Sequence, residues 1–117
     1  MRYSASELLY ELSSQLNPTR FIEVGSRDGI DSIKFARKNP EAKILVFEPN
    51  PSNYKLTQKN LGSSNIDFKL YPYAINDKPG FFKFYEYSSD NIGLGSLKFR
   101  KGMKPIISYD VECRRLD

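Results

Sequence analysis

Residues 21–31 read "FIEVGSRDGID": an apolar run carrying one acid, Glu23, then Gly25 and Gly29 four apart with Asp28 between them, then the start of a helical pattern. A short apolar run, a glycine turn and a helix make the first strand-turn-helix unit of a nucleotide-type fold. Gly25 can take a positive φ and let a ligand lie on bare backbone, and Gly29 permits close approach of helix and strand. Any tight strand-to-helix turn also wants a glycine, so the neighbouring pattern must decide which ligand, if any, the turn holds.

On the N-terminal side, Ser4 and Glu7 are spaced as a capping box ahead of Leu8, Leu9, Leu12 and Leu16 on one helical face, which predicts a helix over 4–16. "NPTR" breaks it. On the C-terminal side a second helix is expected over 28–38, with Ile30, Ile33 and Ala36 toward a sheet. "AKILVFEPNP" reads as the next buried strand, stopped by two prolines. A third helix, starting at Pro51 or Ser52, then carries Tyr54, Leu56 and Leu61, and "NIDFKLYPYAI" is the third strand.

Helix and strand alternate through this stretch, so the fold class is α/β, with a parallel sheet covered by helices and, by right-handed crossover, strand order 3-2-1. Past "NDKPG" the pattern changes. "FFKFYEY" and "GSLKFR", separated by "SSDNIGLG", suggest an antiparallel hairpin, and "ISYDVECRRLD" alternates as a last strand. Phe81, Phe82, Phe84, Tyr85 and Tyr87 read as hairpin faces packed on a core in preference to a sugar-stacking surface. Lys98, Arg100, Lys101 and Lys104 read as a solvated edge that blocks strand pairing.

Composition narrows the function. With 117 residues, 39% of them apolar, the chain makes one domain. Its 18 Lys and Arg against 14 Asp and Glu are spread along the chain, and no nucleic-acid partner is expected. A single Cys precludes an intramolecular disulfide and fits a cytoplasmic setting, while the lack of His removes the usual zinc sites and the commonest general base. No apolar run reaches the length of a membrane span, so no membrane partner is expected.

Three places carry the candidate chemistry, since ligands of open α/β sheets bind beyond the carboxyl ends of the strands. The first is the turn Glu23, Gly25, Ser26, Arg27, Asp28 and Gly29. The second is Glu48, 23 positions after Gly25, where an acid can accept both ribose hydroxyls of an adenosine. The third is Ala74, small enough at the end of the third strand for an adenine ring to lie beside it.

Asp28 selects among adenosine cofactors. At the start of a helix it would face the pyrophosphate of a dinucleotide. The helix dipole is worth about 0.3–1 kcal/mol, whereas two unit charges about 4 Å apart at an effective dielectric of about 20 interact by roughly 4 kcal/mol. Repulsion prevails unless Arg27 offsets it. The spacing is neither G-x-G-x-x-G nor a P-loop, so a cationic cofactor without phosphates, S-adenosyl-L-methionine, is the better tenant. An NAD-type oxidoreductase fragment and a non-catalytic binding or assembly module are the other readings.

"FIEVGSRDGIDS", "FEPNPSNYKLTQKNL", "AINDKPGFFKF" and "RRLD" occur in the order found in the FkbM-type S-adenosylmethionine-dependent methyltransferases, which the chain resembles from Phe21 to its end. The resemblance implies a Rossmann-like class I methyltransferase fold and O-methylation of a sugar or natural-product hydroxyl, with a small-molecule or glycan acceptor. It implies that Glu23, Gly25, Ser26, Arg27, Asp28 and Gly29 form the cofactor loop. By the same resemblance Glu48 binds the ribose with Pro49 and Asn50 beside it, and Ala74 lies near the adenine. Ser26, Arg27 and Asp28 depart from the small-residue and Asn pattern usual there. The resemblance also implies a fourth parallel strand beyond "RRLD", so residues 1–117 are expected to form a domain incomplete at its C-terminus. The edge of the first strand is then open to self-association or completion by another chain. No residue is assigned as catalytic base.

Overall fold

The computed structural model describes residues 4–87, 95–99, 101–102 and 105–117. Helix α1 (Ala5–Gln15) starts at the expected capping box: the Ser4 hydroxyl accepts the Glu7 amide and the Glu7 carboxylate accepts the Ser4 amide. Then come β1 (Arg20–Val24), α2 (Ile30–Lys38), β2 (Lys43–Phe47), α3 (Pro51–Gly62), β3 (Phe68–Tyr71), β4 (Ala74–Ile75), β5 (Gly80–Glu86) and β6 (Ile107–Arg114).

Strands β1, β2 and β3 form a parallel sheet in the order β1-β2-β3, with Phe21 opposite Ile44 and Ile44 opposite Phe68. This is the expected 3-2-1 order seen from the other edge, and with its flanking helices the architecture is Rossmann-like. Two successive right-handed crossovers in the same direction place α2 and α3 on one face of the sheet. There Phe21, Ile44, Val46, Phe68 and Leu70 meet Ile33, Phe35, Ala36 and Leu61 in the main core, and Phe21 stacks on Phe35 with ring centroids 4.0 Å apart. The other face holds Ile22 and Val24, both exposed, beside a stacked pair formed by Phe47 and Tyr71.

Several expectations change. Helix α1 turns Tyr10 and Ser13 inward, because the Tyr10 hydroxyl donates to Asp31 of α2 at 2.6 Å. The leucine face, whose direction the sequence left open, points outward, with Leu16 80% exposed. Helix α2 begins at Ile30, not at residue 28, since Gly29 is its N-cap at φ +82°. The expected third strand is two strands: Pro72, which has no amide to donate, ends pairing with β2, and β4 then pairs in parallel with β6.

A second sheet, ordered β4-β6-β5, holds the C-terminal part. The antiparallel partner of β5 is β6, from Gly80 opposite Cys113 to Glu86 opposite Ile107. "GSLKFR" contributes only the isolated bridge of Ser96 to Tyr85 among the described residues, because eight residues of β6 offer a far longer ladder. Residues 88–94, which hold most of the expected hairpin loop, and Arg100 and Lys104 of the basic run lie outside the described residues. Lys98 and Lys101 are exposed. Of the β5 aromatics, Phe84 is buried in the second core with Ala74, Val111 and Cys113, whereas Phe81 is 73% exposed. Alternation along the strand separates them.

Candidate functional site

The strand ends converge on one place. Strand β1 finishes at Val24, and the chain turns at Gly25, whose φ of +79° favours glycine; the Gly25 amide donates to the Phe47 carbonyl at 2.8 Å. The turn is then braced by its own side chains. Ser26 Oγ accepts the Gly29 amide at 2.9 Å, and Asp28 Oδ1 accepts the Ile30 amide at 3.0 Å. Asn60 of α3 donates its side-chain amide to the Asp28 carbonyl at 2.8 Å. The first amides of α2 are therefore partly satisfied from within the loop.

Glu48 follows β2 directly. As a solvated strand-end residue it would be exposed, yet it is only 4% exposed. Its Oε1 accepts the Arg27 amide at 2.7 Å, and its Oε2 accepts the Asn50 amide at 3.0 Å. Burial pushes the Glu48 carboxyl up, and these two amides oppose that shift by favouring the carboxylate. An ionised carboxylate has about four acceptor positions, and these two amides fill roughly half of them.

Asn50 is the N-cap of α3, its Oδ1 accepting the Asn53 amide at 3.0 Å, with Pro51 in the first turn. Glu23 lies beneath the turn and accepts the Ser32 hydroxyl at 3.2 Å. Burial raises its carboxyl pKa, Ser26 and Ser32 lower it, and the charges of Asp31 and Asp28 add to the rise.

A cavity of about 310 Å³ opens beyond these strand ends. That is near the lower end of the range for small-molecule sites, about 300–1,000 Å³. Of the sequence-derived candidates, Gly25, Arg27, Glu48, Pro49 and Ala74 line it. Glu23, Ser26, Asp28, Gly29 and Asn50 build the turn and the cap that hold the lining residues in place. Val24 and Phe47, one residue before Gly25 and Glu48, also line it and were legible as the strand termini themselves. Asn53 of α3, Tyr73, Ile75, Phe84 and the segment Gly95, Ser96 and Leu97 complete the wall; sequence reading missed them as site residues, those after Asn53 because their place depends on the second sheet.

The residues present fit an adenosine cofactor. A buried acid stands at the carboxyl end of β2, bare Gly25 backbone faces open space, and small Ala74 lies beside apolar Ile75 and Phe84. Among the described residues no group of His, Cys, Asp and Glu is arranged to hold a metal ion, and no helix is long and apolar enough to cross a membrane.

Fold and cavity together define an α/β module with a cavity at the carboxyl ends of its parallel strands. Residues 23–117 match the methyltransferase FkbM domain, and the chain belongs to that family. It is similar to the 2-O-methyltransferase NoeI of Sinorhizobium fredii, 29% identical over 69 residues, which cover 59% of this chain and 28% of that protein. It is also similar to a tRNA (guanine-N(7)-)-methyltransferase of Helicobacter pylori, 28% identical over 98 residues, covering 78% of this chain and 25% of that protein. A third relative, methyltransferase sdnD of Sordaria araneosa, is 35% identical over 52 residues, 44% of this chain and 20% of that protein. The chain thus spans about a quarter of the length of these relatives.

Proposed function

We propose that the cavity holds S-adenosyl-L-methionine and that the chain is the cofactor-binding part of a methyltransferase acting on a hydroxyl of a sugar or related natural product. The observation that carries this reading is the buried Glu48 carboxylate, held by two backbone amides in the wall of a cavity that Gly25 and Ala74 also line. Glu48 accepts the ribose hydroxyls, the bare backbone at Gly25 admits the amino-acid end, and Ala74, Ile75 and Phe84 flank the adenine. Bound there, the cofactor supplies a methyl group on a sulfonium for transfer to an acceptor nucleophile.

Two further observations support the cofactor. The names of the relatives differ in the acceptor they state, a 2-O position in one and guanine N7 of tRNA in another, and agree on methyl transfer. A segment similar to both suits the ligand they would share. The Asp28 carboxylate, occupying the Ile30 amide at the start of α2, disfavours a dinucleotide pyrophosphate there. Calorimetric titration of S-adenosylhomocysteine into the full chain, with Glu48→Ala as control, tests the reading. Micromolar binding lost in a folded variant is expected; no binding by the folded wild-type chain, or preference for NAD, overturns it.

A second reading, an assembly module, is favoured by the edge of β1, which pairs with no further strand among the described residues, and by the outward leucines of α1. The Thr19 carbonyl and the Gly25 amide bond to β2, so alternation leaves the backbone of Arg20, Ile22 and Val24 facing the other edge. Pairing of two copies there would give a dimer in light scattering; a monomer at high concentration would rule that dimer out.

A further inference from the structure

Glu86, the last residue of β5, lies 36 positions from Asn50, yet its Oε1 accepts the Asn50 side-chain amide. The same oxygen accepts the Tyr109 hydroxyl of β6 at 2.8 Å. Asn50 is only 3% exposed, and each polar part of it has one partner: Nδ2 donates to Glu86, Oδ1 accepts the Asn53 amide at 3.0 Å, and the backbone amide donates to Glu48 Oε2 at 3.0 Å. Pinning both ends of its side-chain amide fixes the χ torsions of Asn50 and anchors its Cα, and so restrains the adjoining peptide whose N–H meets Glu48. Tyr109 in turn packs against Phe84 with ring centroids 5.7 Å apart, and Phe84 walls the cavity.

We propose that Glu86 is a positioning residue for the Glu48 carboxylate, acting through Asn50, with Tyr109 holding Glu86 in place. The inference rests on the cofactor reading of Glu48. It gives the second sheet a role in the site: β5 and β6 carry one carboxylate and one phenol that lock the β2-to-α3 connection from outside. Burial, and after it the Glu86 carboxylate, raise the Tyr109 phenol above its ordinary pKa, so the hydroxyl remains a donor to Glu86 at neutral pH.

The test uses the full chain with Glu86→Ala, Glu86→Gln, Asn50→Asp and the Asn50→Asp/Glu86→Gln double variant. It has two readouts, the backbone amide NMR signals of Asn50 and Arg27 without ligand, and the affinity for S-adenosylhomocysteine by calorimetry. Glu86→Ala should shift the Asn50 amide signal and weaken binding by about tenfold, the scale of one lost hydrogen bond to a charged group. Glu86→Gln, whose amide oxygen accepts the same two bonds, should stay within about threefold of wild type. Asn50→Asp sets two carboxylates against each other and should weaken binding; adding Glu86→Gln, which can donate to Asp, should restore it. If Glu86→Ala does not fold, the Asn50→Asp pair decides alone.

A folded Glu86→Ala protein with the wild-type Asn50 signal and affinity overturns the proposal, as does a double variant no better than Asn50→Asp. A wild-type chain that binds no S-adenosylhomocysteine overturns the cofactor reading instead, and the ligand-free amide signals still decide whether Glu86 positions Glu48.

Discussion

The Arg27 amide reaches the Glu48 carboxylate at 2.7 Å across 21 positions of chain, joining the turn after β1 to the end of β2. Arg27 makes this bond from the left-handed region, at φ +67°, where residues other than glycine are uncommon. The turn accepts that strain in exchange for an amide aimed at a buried acid.

Glu48→Ala therefore leaves the Arg27 and Asn50 amides without their acceptor. Each such group costs about 1–3 kcal/mol when it stays out of water. We expect the urea midpoint of the ligand-free chain to fall while the slope of the transition is unchanged. An unchanged midpoint would show that water reaches both amides and that Glu48 is not buried in solution.

Gly25→Ala and Gly29→Ala separate backbone strain from crowding. Both residues have positive φ, +79° and +82°, and a side chain in that region costs about 1–2 kcal/mol. A β-carbon at Gly25 meets nothing within 4 Å, but at Gly29 it meets Leu61 Cγ at 3.2 Å. Overpacking adds about 1–3 kcal/mol, so chemical denaturation should find Gly29→Ala the more damaging of the two. Equal losses would mean that Leu61 yields freely.

The raised Glu23 carboxyl gives stability a pH dependence of definite sign. Burial raises its folded-state carboxyl pKa above 4.5, so the folded state holds its proton more tightly than the unfolded chain. Its contribution to stability is fully present below pH 4.5 and is lost as pH rises through the elevated folded value. Glu23→Gln, which can still accept the Ser32 hydroxyl, removes that loss. Thermal melts should show the variant gaining on wild type across this window and level with it below, and a constant difference at every pH would refute the assignment.

Leu12→Glu on the outward face of α1 should leave the stability of the monomer within about 0.5 kcal/mol, because Leu12 is already exposed. If two copies associate through this face, the same change should also lower the dimer fraction by sedimentation. A large loss of stability at dilution would instead show that the face is covered within the monomer.

How far the candidate site was legible in the sequence follows from the range of each interaction. Gly25, Glu48 and the loop between β1 and α2 could be read because they stand where a strand ends and a helix begins, at spacings set by local geometry. The leucines of α1 were legible as one face but not as an outward one, because helical period identifies a face without naming what it meets; the Tyr10 bond to Asp31 turns the opposite face inward.

Sequence alone determined the alternation of helices with parallel strands, the positive φ at the turn and the place of the acid, all products of local propensity and period. Tertiary structure decided that Gly80–Glu86 pairs with Ile107–Arg114, that the chain changes sheets at Pro72, and that Glu86 meets Asn50. Those contacts join distant segments of chain. Which partner a strand or a carboxylate finds is set by competition among all segments that could reach it, and no local pattern encodes the winner.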